Sequence, residues 1–357
     1  MVVLPLANGV APAIFILGDS TADVGTNSFL PGSNARADFP PNGIDFPHSR
    51  ATGRFSNGLN SADILAELFG YKSPPPFLSL NSSTLKKRSF TGINFASGGS
   101  GVFEITGQSM FGKEKIPFST SSNNKKNVVT MREQVKQFSS VRGMLSHTMG
   151  SAATKKFLSK CLFFISIGSN DILAYYHSRR SIRKTEFLGL IGLAYETHIK
   201  SLLNLGARKF GIISVAPIGC CPSQRVFNVS GGCLEELNEL AREFHPILDS
   251  MLWHLSLEHE GMKYSLGNAY EMTINVIDNP LAFGFKEVKS ACCGAGKFNG
   301  EAICDPHANL CLKRDEYLFW DLFHPTQAAS KLAALTLYSG PPRFVTPINF
   351  SQLAEVR

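Results

Sequence analysis

Residues 161–171 read Cys-Leu-Phe-Phe-Ile-Ser-Ile-Gly-Ser-Asn-Asp, and this stretch decides the fold. Cys161–Ile167 is a short apolar run of strand length, and Gly168-Ser169-Asn170-Asp171 is turn chemistry. The pattern recurs along the chain. Ala13–Leu17 ends in Gly18-Asp19-Ser20, and Gly92–Ala96 ends in the glycine-rich Ser97–Gly101. Phe210–Val215 is a fourth such run, and Lys263–Leu266 begins a fifth. Between them lie segments of helical period. Ser61–Phe69 spaces Ile64, Leu65, Leu68 and Phe69 for one helix face, with Gly70 as its stop. Val129–Met149, Thr185–Leu205 with Gly206, and Pro325–Tyr338 with Gly340 are read likewise. Leu234–Glu260 is a long amphipathic helix that Pro246 should kink. Continuous apolar strands separated by helices predict a parallel sheet covered on both faces, an α/β fold. No repeat or linker divides the chain, so one domain is expected over 13–345, with tails at 1–12 and 346–357.

Composition agrees with a packed chain. Of 357 residues, 43% are hydrophobic and 18% charged, which excludes disorder. The 31 Gly and 19 Pro are about 14% of the chain, an ordinary share that excludes collagenous and low-complexity sequence. No apolar run approaches the ~18–20 residues that span a bilayer, so no transmembrane segment is expected. The net charge of +7 is mild. Its densest basic runs, Lys86-Lys87-Arg88, Lys125-Lys126 and Arg179-Arg180, have no regularly interleaved aromatics and read as solvated loops rather than a nucleic-acid surface.

Seven of the eight cysteines follow residue 219: Cys220, Cys221, Cys233, Cys292, Cys293, Cys304 and Cys311. The last four lack the C-x₂₋₄-C pair of a zinc site, and nothing in their spacing favours His307 as a fourth ligand. Disulfides closing loops fit better and imply an oxidising compartment, though these four alone allow three connectivities. Cys161, in an apolar run, reads as a small buried hydrophobe. Three N-x-S/T sequons, at Asn81, Asn228 and Asn349, agree with secretion as glycosylation candidates. Met1–Ala11 has no basic n-region and is not a complete signal peptide.

Ligands of open α/β sheets bind beyond the carboxyl ends of the strands. Three strands here end in small polar clusters: Gly18-Asp19-Ser20, Ser97-Gly98-Gly99-Ser100 and Gly168-Ser169-Asn170-Asp171. A fourth cluster, Asp321-Leu322-Phe323-His324-Pro325, precedes the final helix. Singly, each has a bland reading: Gly18-Asp19-Ser20 as a strand-to-helix turn, Gly98-Gly99 as a tight loop, Asn170-Asp171 as a helix cap, and Asp321 with His324 as a polar turn. In this order and at these strand ends, they form a constellation. The remaining histidines show no H-E-x-x-H pattern, and Gly98–Gly101 makes no G-x-G-x-x-G, so neither a metal nor a dinucleotide cofactor is expected.

The segments Phe15–Asn27 (FILGDSTADVGTN), Thr52–Asn57 (TGRFSN), Gly92–Gly101 (GINFASGGSG), Phe164–Ile172 (FISIGSNDI), Ala291–Gly294 (ACCG) and Phe319–Thr326 (FWDLFHPT) carry a resemblance. Together they resemble the plant GDSL esterase/lipases of the SGNH hydrolase superfamily, across nearly the whole chain and in the family's order. Two positions depart: Thr21 stands where the family name has Leu, and Thr26 where Asn is frequent. The resemblance implies a flavodoxin-like three-layer α/β/α sandwich with a central parallel sheet of about five strands. It also implies a Ser20 nucleophile, a His324 base and an Asp321 that orients the imidazole. The oxyanion hole would combine the backbone N–H groups of Ser20 and Gly99 with the Asn170 side chain, Gly98 being the alternative to Gly99. The expected activity is hydrolysis of a small-molecule or lipid ester through an acyl-enzyme, with no cofactor and no obligate protein partner. Transfer of the acyl group to an alcohol would use the same residues. A non-catalytic binding protein on this fold is the third reading, and would usually have lost Ser20, Asn170 or His324.

Overall fold

The computed structural model describes residues 11–81, 91–107, 127–178 and 182–356. Most of the N-terminal tail expected at 1–12 lies outside the described residues. So do the basic runs at 86–88, 125–126 and 179–180.

The central sheet contains β1 (Ile14–Gly18), β2 (Gly92–Asn94), β3 (Leu162–Ser166), β4 (Lys209–Ile213) and β5 (Lys263–Gly267). Their order is β2-β1-β3-β4-β5, and all four pairings are parallel. This is the flavodoxin-like doubly wound order, and the winding reverses between β1 and β3. Ten helices are seen among the described residues: α1 (Ser61–Leu68), α2 (Met131–Met149), α3 (Ser151–Leu158), α4 (Ser169–His177), α5 (Lys184–Asn204), α6 (Pro222–Arg225), α7 (Glu235–Glu258), α8 (Ala269–Asp278), α9 (Gln327–Ser339) and α10 (Phe350–Glu355). The helix starts are chemically marked. Asn60 forms a capping box with Asp63, and the Thr130 and Thr326 hydroxyls cap α2 and α9. Pro246 lies inside α7, which runs on from Glu235 to Glu258.

Alternate residues of each strand feed two cores. Phe15, Phe163 and Phe210 join Phe138 of α2, Ile191 of α5 and Leu240 of α7 on one face. Phe15 lies 5.1 Å from both the Phe163 and Phe138 rings, stacked on the first and edge-on to the second. Ile14, Ile16 and Phe164 pack on the other face against Leu65 of α1, Leu337 of α9 and Phe350 of α10. Full burial of such side chains stabilises the fold by about 1.5–3 kcal/mol each.

Between β5 and α9, the cysteine-rich excursion carries β6 (Glu287–Ala291), β7 (Cys293–Gly294), β8 (Asn309–Leu310) and β9 (Tyr317–Phe319). β6 pairs with β9 and β7 with β8. The disulfides are Cys292–Cys311, Cys293–Cys304 and Cys220–Cys233. Cys161 is buried and unpaired, as a small apolar residue would be.

The C-terminal segment corrects the expected boundary. A sixth strand, β10 (Val345–Thr346), adds antiparallel to β5, so the sheet is mixed rather than wholly parallel. The described residues 346–356 of the expected 346–357 tail are packed into the domain. Phe350 and Leu353 of α10 are fully buried, Phe350 stacks on Phe164, and buried Lys209 donates to the Ala354 carbonyl at 2.8 Å. A two-residue strand and a six-residue helix are too short to leave a readable periodicity.

Candidate active site

Ser20 follows β1 at the point where the sheet order reverses. Gly18 makes that exit possible: at φ +154° a Cβ would sit 2.3 Å from the Ser166 carbonyl oxygen. Gln134 of α2 grips the Gly18 peptide from both sides. Its Oε1 accepts the Gly18 N–H and its Nε2 donates to the Gly18 carbonyl, each at 2.8 Å. Asp19 is buried and accepts from the Thr21 N–H and hydroxyl; burial pushes its carboxyl above the ordinary range.

The turn after β9 brings up the partners of Ser20. Asp321 Oδ1 accepts the N–H groups of Phe323 and His324, which folds the side chain back toward the imidazole. His324 Nδ1 lies 2.8 Å from both Asp321 oxygens, and Nε2 lies 2.7 Å from Ser20 Oγ. With the carboxylate on Nδ1, the neutral ring carries its proton there and presents Nε2 as an acceptor to the hydroxyl. The Phe55 ring lies 4.9 Å from the imidazole. Trp320 steadies the turn, its indole donating to Asn42 and its backbone N–H to the His324 carbonyl.

Donors converge from two other strand ends. The loop after β2 carries Gly98 and Gly99. The Gly98 N–H donates to Asp23 Oδ2 at 2.8 Å and is therefore occupied. Among the described residues, no protein acceptor takes the N–H of Ser20 or of Gly99. At the start of α4, Asn170 Nδ2 donates one hydrogen to the Ser100 carbonyl at 2.9 Å, which orients the amide and leaves its second hydrogen. Ser20, Gly99, Asn170, Asp321 and His324 all line one cavity of about 540 Å³, the size of a small-ligand site.

Two further buried carboxylates hold these loops. Asp23 accepts from Gly25 and Thr26 N–H, each at 2.7 Å, as well as from Gly98. Asp171 accepts from Val102 N–H, Phe103 N–H and the Thr106 hydroxyl. Burial pushes each up to about 6, against those hydrogen bonds. A buried bidentate pair, Arg54–Asp63 at 2.7 Å, ties the Thr52–Asn57 segment to α1.

This chain matches the family model of GDSL-like lipase/acylhydrolases over residues 14–337. It belongs to that family. Three GDSL esterase/lipases of Arabidopsis thaliana are 37%, 34% and 34% identical to it. The alignments cover 96%, 98% and 96% of this chain and 90%, 92% and 88% of theirs. The family is one of carboxylic ester hydrolases.

Every residue expected at the site lies in this one cavity. Asp23, Gln134, Asp171 and the Arg54–Asp63 pair carry no role in the sequence reading, although Asp23, Arg54 and Asp171 fall inside GDSL-family segments. Gln134 has no sequence signal beyond being polar on a helix whose neighbours Met131, Val135 and Phe138 are buried. Pro76 pairs with Asn94 at the β2 edge, with Phe77 against Phe95. His198 is structural, its Nε2 meeting the Val102 carbonyl at 2.9 Å. Among the described residues no three His, Cys, Asp or Glu side chains gather as a metal site, and no helix is long and apolar enough to cross a membrane. Of the sequons, Asn81 is exposed, Asn228 donates to the Cys233 carbonyl, and Asn349 caps α10.

Proposed function

We propose that the protein cleaves carboxylic esters by a serine acyl-enzyme mechanism, and the observation that carries this is the unbroken line Ser20 Oγ–His324 Nε2 and His324 Nδ1–Asp321. A serine hydroxyl is a weak nucleophile until an adjacent base takes its proton. His324 receives that proton as Ser20 attacks the ester carbonyl, and Asp321 stabilises the resulting imidazolium. Charge then develops on the carbonyl oxygen. The N–H groups of Ser20 and Gly99 and the second Asn170 hydrogen are the donors with capacity for it. Because Gly98 is committed to Asp23, Gly99 is the better second donor. Each such donor is worth about 10²–10³ in rate, because it is fixed before the reaction starts. His324 returns the proton to the departing alcohol, then activates water to release the acid.

Labelling with a fluorophosphonate, followed by intact mass, tests the reading. One adduct on wild type, mapped to Ser20 and absent from Ser20→Ala, is expected. No adduct on a folded, disulfide-intact sample overturns it and leaves a binding role on this fold.

We also infer that the protein is exported. Three disulfides and three sequons support that reading, since disulfides persist in oxidising compartments.

A further inference from the structure

Gly18 is needed where β1 turns toward Ser20, and its freedom is a liability there. At φ +154° it has no side chain to limit either backbone torsion, and the Ser20 N–H follows two peptides later. A donor that must meet a developing oxyanion works only if its peptide plane is fixed beforehand. The neighbouring strand does not supply that restraint in full. β2 stops at Asn94, and the Gly18 N–H passes from the sheet to a side chain, the Oε1 of Gln134.

The Gly18 N–H belongs to the peptide on one side of its Cα, and the Gly18 carbonyl to the peptide on the other. Gln134 binds both at 2.8 Å, so one amide restrains φ and ψ of Gly18 together. The same Nε2 lies 3.0 Å from the Val129 carbonyl and 3.2 Å from Ser100 Oγ. Ser100 follows Gly99, and its carbonyl accepts from Asn170 Nδ2 at 2.9 Å. Apart from Val129, the partners of Gln134 therefore lie on the two segments that present Ser20 and Gly99 and that orient Asn170.

The amide reaches them from a fixed base. α2 starts at the Thr130 cap, Met131 and Phe138 anchor it in the core, and Gln134 is itself fully buried. A buried amide needs partners to offset its lost water, and any core position that offered them would serve the fold. Gln134 instead takes them from the backbone that leads into the nucleophile.

We propose that Gln134 is a positioning residue of this enzyme: its side-chain amide fixes the peptides on both sides of Gly18, and through them and Ser100 it aims the oxyanion donors before Ser20 attacks. This rests on the serine-esterase reading above. Gln134 touches no reacting atom, so its effect falls on the rate of the chemical step and not on substrate binding.

The test counts active copies by fluorophosphonate labelling run to completion. It then measures kcat per labelled copy and KM for p-nitrophenyl butyrate, and Ki for a trifluoromethyl ketone, in wild type, Gln134→Met and Gln134→Glu. Met keeps the volume without the amide. Its kcat per copy should fall about 10- to 100-fold while KM stays within about threefold. Ki should rise by the same factor, because the ketone binds as an oxyanion adduct of Ser20. Glu restores the bonding pattern only when protonated, one oxygen accepting the Gly18 N–H and the O–H donating to the Gly18 carbonyl. Its kcat relative to wild type should therefore climb as pH is lowered, while the Met ratio stays flat; Asp19, Asp321 and His324 are common to all three proteins and cancel in the ratio. If Met leaves no labelled copy, the pH response of Glu still decides. Fewer labelled copies that each turn over at the wild-type rate mark Gln134 as a support of the fold alone and overturn the positioning role, as does a Ki that holds while KM rises. Failure of wild type to cleave the ester or to react with the fluorophosphonate overturns the esterase reading instead.

Discussion

Replacing Asp23 by Asn substitutes a donor for the acceptor that holds Gly98. Asp23 Oδ1 takes the Gly25 and Thr26 N–H groups and Oδ2 takes Gly98, so one amide cannot satisfy both sets. Whichever way the Asn side chain turns, an N–H faces an N–H. The lost bond is charge-assisted, worth about 1.5–3 kcal/mol, and the donor that it positions through the next peptide, Gly99, is worth about 10²–10³ in rate. Asp23→Asn should therefore lower kcat by about 10- to 100-fold while KM stays within about threefold, because the oxyanion forms only after binding. Stability gives the second readout. Asp23 is pushed up to about 6 by burial, whereas an unfolded Asp titrates near 3.8. The folded state thus holds the proton more tightly, and stability falls as pH rises from about 4 through about 6. At neutral pH the ionised group costs on the order of 3 kcal/mol. Asn does not titrate, so the variant should gain on wild type by up to that amount between pH 4 and pH 7 in denaturant melts. An unchanged kcat with a raised KM would refute the positioning role. A wild-type-minus-variant difference that ignores pH would refute the assignment of the titration to Asp23.

Asn170→Ala removes one donor outright and should cost about 10²–10³ in kcat on a soluble ester with little change in KM; a loss under threefold shows that Asn170 does not face the oxyanion. Protein made through a secretory route should lose mass on removal of N-glycans. Alkylation of that protein, denatured but unreduced, should tag two of its eight cysteines, Cys161 and Cys221. A glycan-free product with all eight tagged would refute export.

The strands were legible because they are buried on both faces. An apolar run such as Leu162–Ser166 has one reading, and the turn residues after it mark the carboxyl end where ligands bind. Helix boundaries fell within two residues at α1, α2 and α5 because caps and glycine stops punctuate them. Hidden from the sequence were features whose meaning is wholly tertiary. Gln134 touches Gly18 across 116 residues of chain, and nothing local distinguishes it from a solvated glutamine. The last four cysteines pair as Cys292–Cys311 and Cys293–Cys304, a nested arrangement that spacing alone leaves as one of three.

A physical tension runs through the loops that carry the site. Asp19, Asp23 and Asp171 are all buried, burial raises all three, and each accepts hydrogen bonds from the chain that displays Ser20, Gly99 or Asn170. An apolar core would satisfy the fold better at neutral pH, for a buried carboxylate is stabilised by its proton, and proton binding is what the unfolded chain gives up first. The ionised form, however, accepts several backbone N–H groups at once, which a protonated carboxyl or an aliphatic side chain cannot. Two strand-end loops and the first turn of α4 are thereby held in one geometry. Asp321 and His324 are 8% and 9% exposed, whereas Ser20, Gly99 and Asn170 are half-buried at the cavity wall. On the proposed acyl-enzyme mechanism, stability is given up at the carboxylates so that the oxyanion donors need not be ordered during the reaction, which is where preorganisation has its effect on rate.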